Sequence, residues 1–237
     1  MNTISDRLSQ VIQEINQAVT RSGRADDKIK LVAVSKKQSL ESMLEYAEAA
    51  NSLGIEVLFG ESYLQELRSK RSELPQVALV HLIGPLQSNK IKDAVKLADV
   101  IESAHSLKVL ELIAKEARAV LKRQRVFIQV NIGADPKKSG FLVPQLQDAF
   151  QVISQNSDAL ELEGLMTITP FYDDPQDARK DFRAMNQLRA DLVSSGVSKL
   201  FSGGKIALSM GMSADFEIAI EEGADLVRVG TALFGSR

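Results

Sequence analysis

The sequence predicts a closed (β/α)8 TIM barrel preceded by one extra helix, and three observations carry that prediction. Short β-branched or apolar runs alternate eight times with stretches of helical periodicity, from Leu31 to the end of the chain. The strand candidates are apolar on both faces, as parallel strands covered inside and out must be. The 237 residues suit one such barrel, and no tract rich in Pro, Gly or Ser divides them. The chain is therefore read as a single domain over residues 1–237, with a doubly wound open sheet as the other architecture that fits the alternation.

The elements follow in order. Ile4, Leu8, Val11, Ile12, Ile15 and Val19 share one face of an opening helix that stops near Ser22-Gly23. Leu31–Lys36 is the first strand, and Ser39 caps a helix over Leu40–Leu53. Ile55–Gly60 is the second strand, followed by a helix over Glu61–Arg71 that Pro75 bounds. Val77–Ile83 and Asp99–Ser103 are strands three and four, with helices over Gln87–Leu97 and Leu107–Lys122 behind them. Strand five, Val126–Asn131, leads to a helix over Val143–Ser154 with Pro144 in its first turn. Strand six is Leu162–Thr169 with a helix over Asp177–Ser195, strand seven Lys205–Met210 with one over Asp215–Glu222, and strand eight Asp225–Val229.

Composition excludes several classes of function. The chain is 44% hydrophobic and 25% charged, with a net charge of −2, so it carries no general attraction for nucleic acid or anionic membrane. It contains no cysteine, which rules out disulfides, thiolate chemistry and cysteine-held metals. His81 and His105 are the only histidines, too few for a multi-histidine metal site. No apolar run approaches the ~18 residues of a membrane span, and no leader is evident, so a cytoplasmic protein is expected. Phosphate-loop, dinucleotide, zinc-protease and nucleophile-elbow motifs are absent.

The chemistry is expected in the loops after the strand C-termini. Lys36 ends the first strand, where partial withdrawal from water would favour a neutral amine able to attack an aldehyde. A lysine that only reaches for solvent is the plainer alternative. After strands seven and eight run Ser209-Met210-Gly211-Met212-Ser213 and Gly230-Thr231, glycines and hydroxyls of the type that cradle phosphate. Arg228 lies inside the apolar run Leu226–Gly230 and shares a face with Gly230. A buried guanidinium needs acceptors; it either pairs with a barrel carboxylate such as Glu61 or donates to a bound cofactor. An aldehyde-reactive lysine, a phosphate cradle and a buried arginine on neighbouring strands together suggest pyridoxal 5′-phosphate.

The same residues carry a family resemblance. Leu31–Lys36, Phe59-Gly60-Glu61, His81–Gly84 with Leu86–Lys90, Leu208–Ser213 and Arg228–Gly235 resemble, in matching order, the pyridoxal phosphate homeostasis protein family, relatives of the N-terminal barrel of alanine racemase. The resemblance implies an internal Schiff base on Lys36 and phosphate contacts around Ser209, Gly230 and Thr231. The cofactor-binding candidates are Lys36, Ser209, Met210, Gly211, Ser213, Arg228, Gly230, Thr231, Asn131, Met166 and His81, with no catalytic or metal-ligating residue. For His81 a satisfied core histidine is the competing role. Ser62 stands where the family usually has asparagine. The resemblance also implies a cytosolic handler of vitamin B6 that holds pyridoxal phosphate without turnover and passes it to apoenzymes; a weak amino-acid racemase or eliminase is the alternative. A monomer is expected, since no C-terminal β domain of the racemase type follows the barrel. Tyr172 is the one tyrosine in a loop after a strand, and no second acid–base pair is evident. Lys137 and Lys138, in the loop after strand five, are candidate amines for drawing the cofactor off Lys36.

Overall fold

A computed structural model describes residues 3–24, 27–170 and 172–235; the outermost residues of the expected domain, with Ala25, Asp26 and Phe171, lie outside that description. The eight strands are β1 (Lys30–Val34), β2 (Leu58–Glu61), β3 (Leu79–Leu82), β4 (Val100–Ala104), β5 (Gln124–Gln129), β6 (Leu160–Met166), β7 (Ala207–Met212) and β8 (Leu226–Val229). All pair in parallel with their sequence neighbours, and β8 closes against β1 through Val32↔Arg228 and its neighbours. The open-sheet alternative is thereby set aside.

The helices are α1 (Ile4–Arg21), α2 (Leu40–Ser52), α3 (Leu64–Lys70), α4 (Ile91–Leu97), α5 (Leu107–Ala119), α6 (Leu146–Gln155), α7 (Arg179–Ser194), α8 (Phe216–Glu221) and α9 (Thr231–Phe234). Helix α1 opens on a capping box between Thr3 and Asp6 and buries Ile4, Leu8, Val11, Ile15, Ala18 and Val19. It packs against α2, α8 and α9. The element after β8 is only four residues long, so α1 occupies the place in the outer ring that a full eighth helix would take. Arg21 bonds Glu217 and Glu221 of α8, and Glu45 of α2 accepts from the Ile4 N–H. Ser39 caps α2 as the sequence indicates.

Strand side chains alternate between two environments. Outward residues such as Leu31, Phe59, Val80, Ile101, Val126, Leu165, Leu208 and Val227 form the layer beneath the helices. Inward residues stack along the barrel axis. Val32, Leu58, Val100, Phe127 and Leu226, with Met166, make an apolar interior cluster, and Leu79 and Ala207 pack against it. Nearer the C-terminal end of the strands the interior turns polar, with His81, Glu102, Ser209 and Arg228 all buried.

Among the described residues no helix is long and apolar enough to cross a membrane, and no cluster of His, Asp or Glu is arranged to hold a metal ion.

Candidate functional site

A cavity of about 590 Å³ opens at the C-terminal end of the barrel, in the size range of small-molecule sites. Val34 and Lys36 line it from β1 and its loop, Ser62 and Ile83 from the loops after β2 and β3, and Ile168 from the loop after β6. Met212 ends β7, Ser213 and Ala214 follow it, and Arg228, Gly230 and Thr231 complete the wall.

Lys36 stands two residues beyond the last residue of β1, on a turn clamped at both flanks. On one side Ser35, fully buried, extends the ladder through its N–H to the Gly60 carbonyl and donates its hydroxyl to Glu61 Oε1 at 2.7 Å. On the other, Lys37 takes φ +62°, a left-handed conformation costly for a side chain, and its N–H donates to Glu66 Oε2 at 2.6 Å. Lys70 of α3 lies 4.0 Å from Glu61 and 3.5 Å from Glu66. The carboxylate considered as a partner for Arg228 therefore has a different task. Glu61 follows the inward Gly60 and points outward, and it braces the lysine turn from behind the sheet. Burial pushes its carboxyl above the ordinary range despite the bond from Ser35 and the charge of Lys70.

Between β7 and β8 the register slips. Ser209 pairs with Leu226, but Met212 pairs with Arg228. A strand that spends one extra residue in this way bulges. Gly211 sits in the bulge at φ +91°, where a β-carbon would lie 2.6 Å from the Ala219 β-carbon and 3.0 Å from Phe216 Cα of α8. The bulge brings Ser213 over β8, where its Oγ accepts from the Gly230 N–H at 3.0 Å. Gly230 in turn faces Val34, 3.3 Å from where its β-carbon would stand.

Five of the sequence candidates thus meet at one cavity: Lys36, Ser213, Arg228, Gly230 and Thr231. Ser62 joins them. The rest lie elsewhere, for identifiable reasons. Ser209 is inside the barrel, three residues short of the strand's end; its hydroxyl donates to Glu102 Oε2 at 2.6 Å and accepts from Arg228 Nη1 at 2.8 Å, so it is engaged below the mouth. Met166 is inside at the same level, paired with Ser209. His81 is also interior, with Nδ1 2.6 Å from Glu102 Oε1. Met210 follows the inward Ser209 and, by strand alternation, buries its side chain in the outer core. Gly211 packs on α8. Asn131 binds the backbone of Asp135 through both its amide atoms and shapes the loop after β5. Lys138 in that loop donates to the carbonyl of Ile168, which lines the cavity, at 3.1 Å. Tyr172 donates to Asp181 of α7 at 2.8 Å and lies outside the lining.

Arg228 is 4% exposed, and its second amino group donates to the Thr167 carbonyl at 2.8 Å. Two carboxylates act on its charge, Glu102, reached through Ser209, and Asp215 at the start of α8. Burial opposes the charge of Glu102, but His81, Arg228 and Ser209 outweigh it and hold the carboxyl below the ordinary range. Glu102 was missed in the sequence although its signal is there, an acidic residue in register with Val100 inside Val100-Ile101-Glu102-Ser103-Ala104.

Comparison with known proteins now decides the family. The family "Alanine racemase, N-terminal domain" matches residues 7–237. A pyridoxal phosphate homeostasis protein of Aquifex aeolicus is 36% identical over 98% of this chain and 97% of its own length. The chain belongs to the pyridoxal phosphate homeostasis protein family. Another member, from Pseudomonas aeruginosa, is 34% identical over the whole chain and 97% of its own length. Among solved structures, PipY of Synechococcus elongatus PCC7942 with PLP bound superposes with a TM-score of 0.82 at 29% identity, covering 98% of this chain and all of that one. The barrel extends beyond the family: alanine racemase of Clostridium difficile 630 has a TM-score of 0.70 at 18% identity, over 98% of this chain and 60% of that one.

Proposed function

We propose that this chain binds pyridoxal 5′-phosphate as a Schiff base on Lys36 and serves vitamin B6 homeostasis by holding and releasing it, without catalytic turnover. One observation carries the reading: Lys36, Arg228 and the Ser213–Gly230–Thr231 loops line a single cavity. Lys36 would supply the amine. The Gly230 N–H and the hydroxyls of Ser213 and Thr231 would receive the phosphate, as loops after the last two strands of such barrels do. Arg228, permanently charged, would donate toward the pyridine nitrogen. A donor there requires an unprotonated ring, and the cofactor's power to stabilise a carbanion depends on the protonated one. That argues for storage over amino-acid chemistry. The fixing of Tyr172 by Asp181, away from the lining, supports the same conclusion. The names of the relatives, homeostasis proteins and a barrel with PLP bound, agree with it.

Apo forms of pyridoxal phosphate enzymes are the expected recipients, and Lys138, beside the mouth, is the proposed acceptor amine on the way out. The deciding experiment is borohydride reduction of the protein loaded with pyridoxal phosphate, followed by peptide mass mapping. The reduced cofactor's mass should appear on the peptide containing Lys36 and be lost in Lys36→Ala. An undiminished adduct in Lys36→Ala would overturn the assignment, and turnover of α-deuterium exchange on free amino acids would overturn the storage role.

A further inference from the structure

The barrel interior contains a continuous hydrogen-bond chain that the site above uses only at its last member. His81 on β3, Glu102 on β4, Ser209 on β7 and Arg228 on β8 are 2%, 0%, 0% and 4% exposed. The links are His81 Nδ1 to Glu102 Oε1 at 2.6 Å, Ser209 Oγ to Glu102 Oε2 at 2.6 Å, and Arg228 Nη1 to Ser209 Oγ at 2.8 Å. The chain thus crosses the barrel from one wall to the other.

Its polarity is forced. An ionised carboxylate only accepts, so Ser209 must spend its hydroxyl hydrogen on Glu102, and the ring N–H of His81 must be at Nδ1. Ser209 then has lone pairs alone to offer Arg228. With the Thr167 carbonyl taking Nη2, the guanidinium is held from two sides.

The two ends of the chain belong to different cavities. Arg228 lines the mouth that holds Lys36. His81 lines a second cavity of about 210 Å³ among the first residues of the strands, Lys30, Leu58, Leu79, Ala207 and Leu226. The chain therefore links the far end of the barrel to the group that would meet the cofactor ring.

We propose that His81 and Glu102 are positioning residues for Arg228, acting through Ser209 to aim the guanidinium into the cofactor cavity. This rests on the proposed binding of pyridoxal phosphate but concerns residues that do not themselves reach the mouth. Neither is among the residues that line the mouth.

The experiment is a double-mutant cycle read by pyridoxal phosphate affinity and by the absorbance of the reducible adduct. His81→Leu, which loses one charge-assisted bond from the chain, should weaken binding about 10-fold and shift the visible band; Ser209→Ala, which loses two, should do so at least as strongly. Together they should cost no more than about twofold beyond Ser209→Ala alone, because the second change acts on a chain already cut. His81→Asn, which keeps an N–H for Glu102, should restore the wild-type band. Glu102→Gln gives a second route into the cycle should His81→Leu fail to fold. Arginine side-chain 15N–1H signals, followed in the cofactor-free protein, should shift for Arg228 in all variants except His81→Asn. Independent, multiplicative losses with an unmoved Arg228 signal would overturn the proposal. If the wild type forms no reducible adduct, the binding reading falls, and the Arg228 signal alone decides the chain.

Discussion

Two serines four residues apart on the same strand and loop, Ser209 and Ser213, should respond to substitution in opposite ways. Ser209 is fully buried and joins two charged groups, Glu102 at 2.6 Å and Arg228 at 2.8 Å. Each such bond contributes roughly 1.5–3 kcal/mol, and Ser209→Ala leaves both partners short of one bond out of reach of bulk water. Allowing for relaxation, the expected loss of stability is about 2–4 kcal/mol, or about 4–16 °C in Tm for a chain of this length. Ser213 is half-buried at the mouth and accepts one bond from the Gly230 N–H, which water can replace. Ser213→Ala should cost under about 1 kcal/mol in stability. Its effect should appear in binding, where loss of a phosphate contact weakens affinity about 10- to 100-fold. The assays are thermal melting of the cofactor-free protein and titration with pyridoxal and with its phosphate ester. Ser213→Ala should shrink the preference for the ester, whereas Ser209→Ala should weaken both aldehydes alike. A Ser209→Ala protein with wild-type stability and a selective phosphate defect would refute this assignment of the two serines.

Other outcomes follow from particular contacts. Burial raises the Glu61 carboxyl, so the folded chain keeps that proton to higher pH than the unfolded chain; the associated stability is present below the ordinary glutamate value and is lost as pH rises through the folded one. Glu61→Gln should therefore gain in urea midpoint relative to wild type from about pH 4 upward, and a pH-independent difference would contradict this. At Gly84 a β-carbon would lie 2.6 Å from Ser62 Cα, so Gly84→Ala must push apart two loops of the mouth, destabilising by about 1–3 kcal/mol in denaturant titration; an unchanged midpoint would show that the loops yield freely. Burial lowers the Lys138 ammonium below its ordinary value, which favours the neutral amine that imine exchange requires. Lys137→Ala/Lys138→Ala protein should bind pyridoxal phosphate nearly normally and transfer it more slowly to an apoenzyme trap, and equal transfer rates at equal occupancy would remove the relay.

Much of this was legible because barrels repeat one local rule. Alternation of strand and helix, caps such as Ser39, and apolar faces such as that of α1 sufficed for the architecture. Lys36 and Arg228 were legible as anomalies, charged residues at or inside apolar strands, where burial costs too much to be incidental. Depth along the barrel axis was not. With β7 expected to end at Met210, Ser209 falls at the mouth; the strand runs to Met212 and bulges at Gly211, and both place Ser209 below it. The position of α1 in the outer ring was equally hidden, since it depends on how briefly the chain continues as helix after β8.

Glu102 shows where the sequence held more than the strand-by-strand reading extracted. A single buried charge is read as a ligand contact or a local pair, and Glu61 was a natural partner for Arg228 by type. Strand parity decides otherwise: Glu61 follows the inward Gly60 and faces out, whereas Glu102 shares the inward face with Val100. In a closed parallel barrel an inward guanidinium needs acceptors on the inward face or at the mouth, so Arg228 implies a search for an inward carboxylate on some other strand. Such a pair is a poor stabiliser, because desolvation consumes most of its Coulomb energy and apolar residues of similar volume would pack as well. What the carboxylate accomplishes is to let the barrel keep a guanidinium just below an open cavity without leaving it unpaired. Buried ions here are better explained by what the mouth must bind than by what the fold needs to stand.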